Sequence, residues 1–110
     1  MKLPTDSLIP VLKITHYLLL PLSRGDKSAF LSRAGYTREN PRQLLNDLRT
    51  QILPLDVVAA GENNFGRYFE ARGVLRGPNG VALRVRAIWM REHLSGGTKF
   101  VTLIPDRQKS

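Results

Sequence analysis

Hydrophobic residues recur with two different periods along this chain of 110 residues. Up to about residue 52 the apolar positions follow the helical period of about 3.6 residues, and from Leu55 they alternate with polar positions as in a strand. The pattern predicts an α+β fold, with two to three N-terminal helices within residues 7–52 packed on a four-stranded antiparallel sheet within residues 55–105. Residues 1–110 are predicted to form a single domain, with a frayed tail at 106–110.

The first helix is predicted to begin at Asp6 or Ser7 and to end near Leu20, before a proline. Its predicted inward positions share one helical face. They are Leu8, Val11, Leu12, Thr15, Leu19 and Leu22.

Two shorter helices are predicted to follow. Asp26 is expected to cap a helix over residues 27–34, and Gly35 is expected to follow it in the left-handed conformation. Asn40 and Pro41 are typical of the N-cap and first position of a third helix. The predicted inward face of that helix consists of Leu44, Leu45, Leu48 and Ile52.

Residues 65–91 predict a long hairpin around the turn signal Gly77-Pro78-Asn79-Gly80. A three-residue loop at 78–80 pairs Gly77 with Val81, so odd-numbered residues face odd-numbered ones. A two-residue loop would place arginines among the apolar side chains, and we reject it. The predicted apolar face consists of Phe65, Phe69, Ala71, Leu75, Val81, Leu83, Val85, Ala87 and Trp89. Residues 55–60 and 98–105 are predicted to form the outer strands.

The opposite face of this hairpin is predicted to be basic. Arg72 faces Arg86, and Tyr68, Arg76 and Arg84 share their surface. Facing like charges destabilise a sheet by some tenths of a kcal/mol, so the pattern favours an anionic ligand. An ordinary solvated strand face is the alternative interpretation.

Charge supports a polyanionic partner for the whole domain. The formal net charge is +8, and arginine supplies most of the 17 basic residues. Such a domain is attracted to nucleic acid or to an acidic protein. The chain has no cysteine and no long apolar run, so we expect a cytoplasmic protein without membrane contact.

No established catalytic motif is present, and we predict neither a metal nor a cofactor. RNA cleavage by the substrate's own 2′-hydroxyl needs only a positioned strand, neutralised phosphate and proton transfer. Candidate catalytic residues are Lys27, His16, Tyr68, Arg86 and Thr102. Candidate nucleic-acid-binding residues are Arg24, Arg72, Arg76, Arg84 and Lys99. Proton transfer is also open to His93 and Glu70.

Five segments carry a resemblance to a known family: HYLLLP, RGDKSAFLSRAGYTREN, FGRYFEARGVLRGPNG, VRAIW and TKFVTLIP. They resemble a family of small uncharacterised bacterial proteins. The shared motif positions are Gly25, Lys27, Gly35, Tyr36, Gly66, Tyr68, Gly80, Arg86, Trp89 and Thr102. Members of that family often have a histidine just before the glycine-lysine step, where this chain has Leu22-Ser23-Arg24.

More loosely, helices followed by a four-stranded sheet with a basic face resemble the barnase, EndoU, colicin and RelE-like group of ribonuclease toxins. This resemblance implies RNA as substrate and an acidic antitoxin or immunity protein as partner. The first hypothesis is therefore a cytoplasmic ribonuclease toxin. The alternatives are a nonenzymatic module that binds nucleic acid or an acidic protein, and the antitoxin or immunity component of such a pair.

Overall fold

The computed structural model describes residues 1–22 and 27–106. Its helices are α1 (Val11–Lys13), which continues as a π-helical turn (Ile14–Leu18), then α2 (Ser28–Ser32), and α3 (Pro41–Asp47), which continues as a second π-helical turn (Leu48–Ile52). Its strands are β1 (Val58–Glu62), β2 (Gly66–Arg76), β3 (Ala82–Glu92) and β4 (Thr98–Pro105). The four strands form one antiparallel sheet in the order β1-β2-β3-β4. The predicted α+β arrangement is confirmed.

The β2–β3 hairpin has the predicted three-residue loop. The amide of Gly77 donates to the carbonyl of Val81 at 3.0 Å, and Gly80 has φ +88°. This loop sets Arg72 opposite Arg86 and Leu75 opposite Leu83, as odd-with-odd pairing requires. Gly77 also lies against the turn that follows α2, because a Cβ atom there would come within 1.9 Å of the carbonyl oxygen of Ala34.

The helices cover one face of the sheet and form the core with it. Trp89 is fully buried and packs edge-on against Phe100, with 5.4 Å between ring centroids. Most predicted inward residues of the hairpin are buried, but Phe65 is 73% exposed and Val81 is 40% exposed. Both lie just outside the strands.

The N-terminal helix differs from the prediction. It begins at Val11 rather than at Asp6 or Ser7, because Ser7 closes a turn with Pro4 and Leu8 is hydrogen-bonded to β4 at Thr98 and Phe100. The predicted inward residues Leu8, Val11 and Leu12 are exposed. The buried residues are instead Ile14, Leu18 and Leu19, and residues 14–18 form a π-helical turn, which is wider than the α-helical turn that the predicted spacing assumes. Of these, only Leu19 was predicted.

The end of α2 agrees with the prediction, whereas the start of α3 differs from it. Gly35 has φ +91°, which confirms the left-handed position. Asn40 precedes Pro41 but makes no side-chain cap to α3. Its Oδ1 atom instead accepts from the amide of Thr37 at 2.7 Å, so it organises the preceding turn. The predicted cap Asp26 lies outside the described residues.

A buried polar pair ties α3 to the turn before it. The hydroxyl of Tyr36 donates to Oδ2 of Asp47 at 2.6 Å, and Gln43 donates to both carboxylate oxygens. Burial and the neighbouring carboxylate raise the pKa of Tyr36 above its ordinary value of 10.0. Both side chains are nearly inaccessible, so this pair belongs to the core.

The outer strands differ in how well the sequence predicts them. β4 occupies the predicted residues, whereas β1 lies at Val58–Glu62 rather than 55–60, because Leu55 donates its amide to Ile52 in a turn and Asp56 pairs with Lys2 instead of with β2. Asp106, expected in the frayed tail, donates its amide to Arg84 at 2.9 Å. Among residues 1–22 and 27–106, no helix has the length and apolar character needed to cross a bilayer.

Candidate nucleic-acid interface

The sheet face opposite the helices, called the open face below, is arranged in rows that run across the strands. The central row contains Val58, Glu70, Ile88 and Thr102. On one side of it lies a row of Arg72, Arg86 and Ile104, and on the other a row of Tyr68, Met90 and Lys99. The predicted arginines therefore do share a surface, although Ile88 and Met90 interrupt it with apolar side chains.

Glu70 lies between the two facing arginines. Its Oε2 atom is 3.3 Å from Nε of Arg72, and its Oε1 atom is 3.2 Å from Nη1 of Arg86. The Glu70 side chain is only 16% exposed, so solvent screens these ion pairs less than ordinary surface pairs. Arg72 facing Arg86 therefore does not by itself favour an anionic ligand, because the protein supplies an anion in Glu70.

The remaining predicted nucleic-acid-binding residues have different environments. Arg84 is exposed, and no residue in the described part of the chain pairs with its guanidinium group. Arg76 donates to the carbonyl of Gly80 at 3.1 Å, and Lys99 forms an ion pair with Glu92 at 3.3 Å. Arg24 lies outside the described residues.

A second polar cluster lies at the β4 edge of the sheet. Nζ of Lys27 donates to the hydroxyl of Tyr17 at 3.0 Å, and that hydroxyl is 3.2 Å from Oγ1 of Thr102. Lys27 also lies over the Tyr17 ring at 5.1 Å, and Lys13 lies over it at 5.3 Å. The fold therefore brings the predicted residues Lys27 and Thr102 together through a tyrosine that the sequence analysis did not select.

The environment of Tyr17 favours its ionised form. The hydrogen bond to Thr102 and then the one from Lys27 lower the pKa of Tyr17 below its ordinary value of 10.0, although partial burial opposes them. Tyr17 belongs to the π-helical turn Ile14–Leu18, and such turns are frequent at functional sites. The sequence signal that could have indicated Tyr17 is its position in the HYLLLP segment, directly after the predicted catalytic residue His16.

The other three predicted catalytic residues lie apart from this cluster, and Arg86 is the one already described beside Glu70. Nδ1 of His16 is 2.8 Å from Oγ1 of Thr15, and His16 lines a small cavity of 170 Å³ with Arg38 and Pro41. Tyr68 lies in the row beside Glu70, and its hydroxyl accepts a hydrogen bond from Asn63 at 3.0 Å. Tyr68 therefore belongs to the open face, whereas no described contact joins His16 to Lys27 or Glu70.

The fold and site define a small α+β domain whose open face places a carboxylate among arginines and whose β4 edge places a phenol beside a lysine. The chain belongs to DUF6883, a family described as a domain of unknown function, whose model matches residues 2–107. Neither the curated proteins nor the solved structures include a significant match to it.

Proposed function

We propose that this protein cleaves RNA on the open face without a metal ion, by attack of the 2′-hydroxyl on the adjacent phosphate. The supporting observation is the central row, in which Glu70 and Thr102 are separated by a single intervening residue, Ile88. Two strand spacings place their Cα atoms about 10 Å apart. Thr102 in turn contacts Tyr17, so one carboxylate and one phenol flank a shallow strip of the sheet.

In this proposal Glu70 is the general base. Its carboxylate accepts the proton of the 2′-hydroxyl while the 2′-oxygen forms a bond to phosphorus. Arg72 and Arg86, which contact Glu70 at 3.3 and 3.2 Å, exchange part of this contact for the phosphate oxygens, where negative charge increases in the transition state. Because guanidinium groups do not titrate near neutral pH, they stabilise this charge without taking part in proton transfer.

Tyr17 is the proposed general acid. As the bond between phosphorus and the 5′-oxygen breaks, the phenol gives its proton to the leaving oxygen, and a 2′,3′-cyclic phosphate remains on the other product. The phenol oxygen accepts from Lys27, and Thr102 is positioned to donate to it as well. Both contacts stabilise the resulting phenolate, and water then returns the proton to Tyr17 and removes it from Glu70.

The decisive experiment is cleavage of a short oligoribonucleotide by the purified chain without divalent cations. We expect a 2′,3′-cyclic phosphate product and no cleavage of the same strand with 2′-deoxyribose at the scissile position. Glu70→Gln should reduce kcat by about 10²–10⁴-fold. The matched control is Glu62→Gln, a carboxamide change at a mostly exposed carboxylate on β1, which should retain full activity.

A nonenzymatic module is the competing proposal, and the same assay decides between the two. Tight binding of the oligoribonucleotide without any cleavage would replace the catalytic proposal with a binding function. Cleavage of the 2′-deoxy strand would contradict attack by the 2′-hydroxyl.

An acidic protein partner is proposed separately, at the helical layer. A groove of 440 Å³ has Val11, Ile14 and Leu45 among its lining residues, with Arg42 and Arg49 beside them. This combination fits an amphipathic acidic helix of an antitoxin or immunity protein, whose apolar side chains would enter the groove and whose carboxylates would pair with the arginines. In this proposal the toxin and its partner are cytoplasmic, since the RNA substrate is cellular.

A double variant Arg42→Glu, Arg49→Glu tests this partner. It should weaken binding to a co-expressed acidic partner, while Arg67→Glu on β2, which is exposed outside the groove, should not. Equal weakening by both changes would indicate general charge attraction rather than a docking groove.

A further inference from the structure

We infer that the cavity at the Tyr68 end of the open face binds one nucleobase of the RNA strand. The cavity measures 330 Å³ and is lined chiefly by Phe65, Tyr68, Met90, Leu94, Glu92 and Lys99. This inference rests on the proposed function for the identity of the ligand, but the cavity is separate from the residues that would transfer protons.

Exposed apolar side chains form the outer wall of the cavity. Phe65 is 73% exposed and Leu94 is completely exposed. The backbone around Phe65 is fixed, because Oδ1 of Asn63 accepts from its amide at 2.9 Å and its carbonyl accepts from the amide of His93 at 3.0 Å. An aromatic ring on a fixed backbone at the surface is suited to stacking, and every base offers a π-face for such contact.

Hydrogen bonding and packing also fix the inner wall of the cavity. The same Asn63 donates to the Tyr68 hydroxyl at 3.0 Å, and Met90, which is 8% exposed, pairs with Tyr68 across the strands. The Tyr68 ring is therefore oriented before a ligand arrives, which lowers the entropic cost of binding.

The polar residues of the cavity match the edge of a base. Glu92 and Lys99 form an ion pair at 3.3 Å and are both about two-fifths exposed. Their carboxylate accepts hydrogen bonds from amino or imino groups, and their ammonium donates to ring nitrogen or carbonyl acceptors. Because each of the four bases has both kinds of group, this pair would orient a base without strongly selecting one.

The position of the cavity agrees with the proposed cleavage site. Tyr68 and Glu70 are alternate residues of β2 on the same face, so their Cα atoms are about 7 Å apart. A base in contact with Tyr68 would therefore belong to a nucleotide next to the phosphate that Arg72 and Arg86 contact beside Glu70. The cavity would anchor that nucleotide and align the 2′-hydroxyl for attack.

The test is equilibrium binding of adenosine 5′-monophosphate to the whole chain, compared with ribose 5-phosphate, which has the same phosphate position and no base. We expect the nucleotide to bind more tightly and Phe65→Ala to weaken it on the order of tenfold. Tyr68→Phe, which keeps the ring, should retain most of the binding. The matched control Leu12→Ala removes an exposed apolar side chain of the helical layer and should change nothing. Equal affinity for ribose 5-phosphate, or wild-type nucleotide binding by Phe65→Ala, would overturn the inference.

The same variants separate this inference from the proposed function. If Phe65→Ala loses nucleotide binding while the wild-type chain cleaves no RNA, the cavity stands and the catalytic proposal fails. If the wild-type chain cleaves RNA and Phe65→Ala cleaves it with unchanged KM, the catalytic proposal stands and the base-binding role of the cavity fails. Glu70→Gln should lose cleavage and still bind the mononucleotide.

Discussion

Tyr17 and Tyr36 both belong to the helical layer, yet the structure places them in opposite environments. Tyr36 is buried and its hydroxyl donates a hydrogen bond to Asp47, so its pKa rises and it stays neutral. Tyr17 lies at the sheet edge between Thr102 and Lys27, which lower its pKa. The partner of each phenol therefore decides whether it remains neutral in the core or has a lowered pKa at the sheet edge.

The largest expected difference between these tyrosines is in catalysis. Tyr17→Phe removes the proposed proton donor and should lower kcat for RNA cleavage by about 10²-fold or more, because general acid catalysis contributes on that scale. The loss should appear in kcat rather than KM, since the arginines and the open face remain. Single-turnover cleavage measures the change, with Tyr36→Phe as the control. Comparable activity of Tyr17→Phe and wild type would remove Tyr17 from the mechanism.

The next largest effect is on stability, where Tyr36→Phe should have the larger effect and Tyr17→Phe the smaller. Tyr36→Phe leaves the buried Asp47 carboxylate without its closest donor, which should lower the free energy of unfolding by about 1–3 kcal/mol. Tyr17→Phe loses only contacts near the surface and should cost about 1 kcal/mol or less. Urea denaturation of both variants gives the comparison. An equal loss in the two variants would mean that Tyr17 is also a structural residue.

Titration of the two phenols should then separate them. Tyrosinate absorbance should show a step below pH 10.0 in wild type, absent in Tyr17→Phe and retained in Tyr36→Phe. The effects on stability follow with opposite signs. The lowered pKa of Tyr17 stabilises the fold above pH 10.0, and this contribution is lost as pH falls through the folded-state value. The raised pKa of Tyr36 stabilises the fold below pH 10.0, and this contribution is lost as pH rises. A step that survives in Tyr17→Phe would contradict the assignment.

The smallest expected effect distinguishes the two lysines near Tyr17. Lys27 lowers the pKa of Tyr17 both through its hydrogen bond to the phenol and through its charge, whereas Lys13 lowers it only through its charge. Lys27→Met should therefore raise the pKa of Tyr17 more than Lys13→Met does. Absorbance titration in the Tyr36→Phe background measures both shifts, and equal shifts would show that charge alone controls Tyr17.

The hairpin shows how far sequence reasoning reaches in this protein. A turn that requires φ > 0 at Gly80 fixes the loop length, and the loop length fixes the register. The faces of β2 and β3 follow from that register. At the N-terminus the same reasoning failed, because pairing of Leu8 with β4 competes with local helix formation. Such long-range competition leaves no local signal.

The candidate site was predicted only in part. Arg72, Arg86 and Tyr68 were placed on one face because strand parity is a local property. The position of Glu70 between the arginines depends on how three side chains meet across two strands. Tyr17 was missed because its role depends on Thr102, which lies 85 residues away in sequence.

The sequence by itself determined the order of helices and strands, the hairpin register and the basic composition, since each depends on neighbouring residues or on a count. Only the tertiary structure decided which charges neutralise one another and which phenol contacts a lysine. These contacts join side chains from separate elements, and their energies depend on the burial and distances that the packed domain establishes.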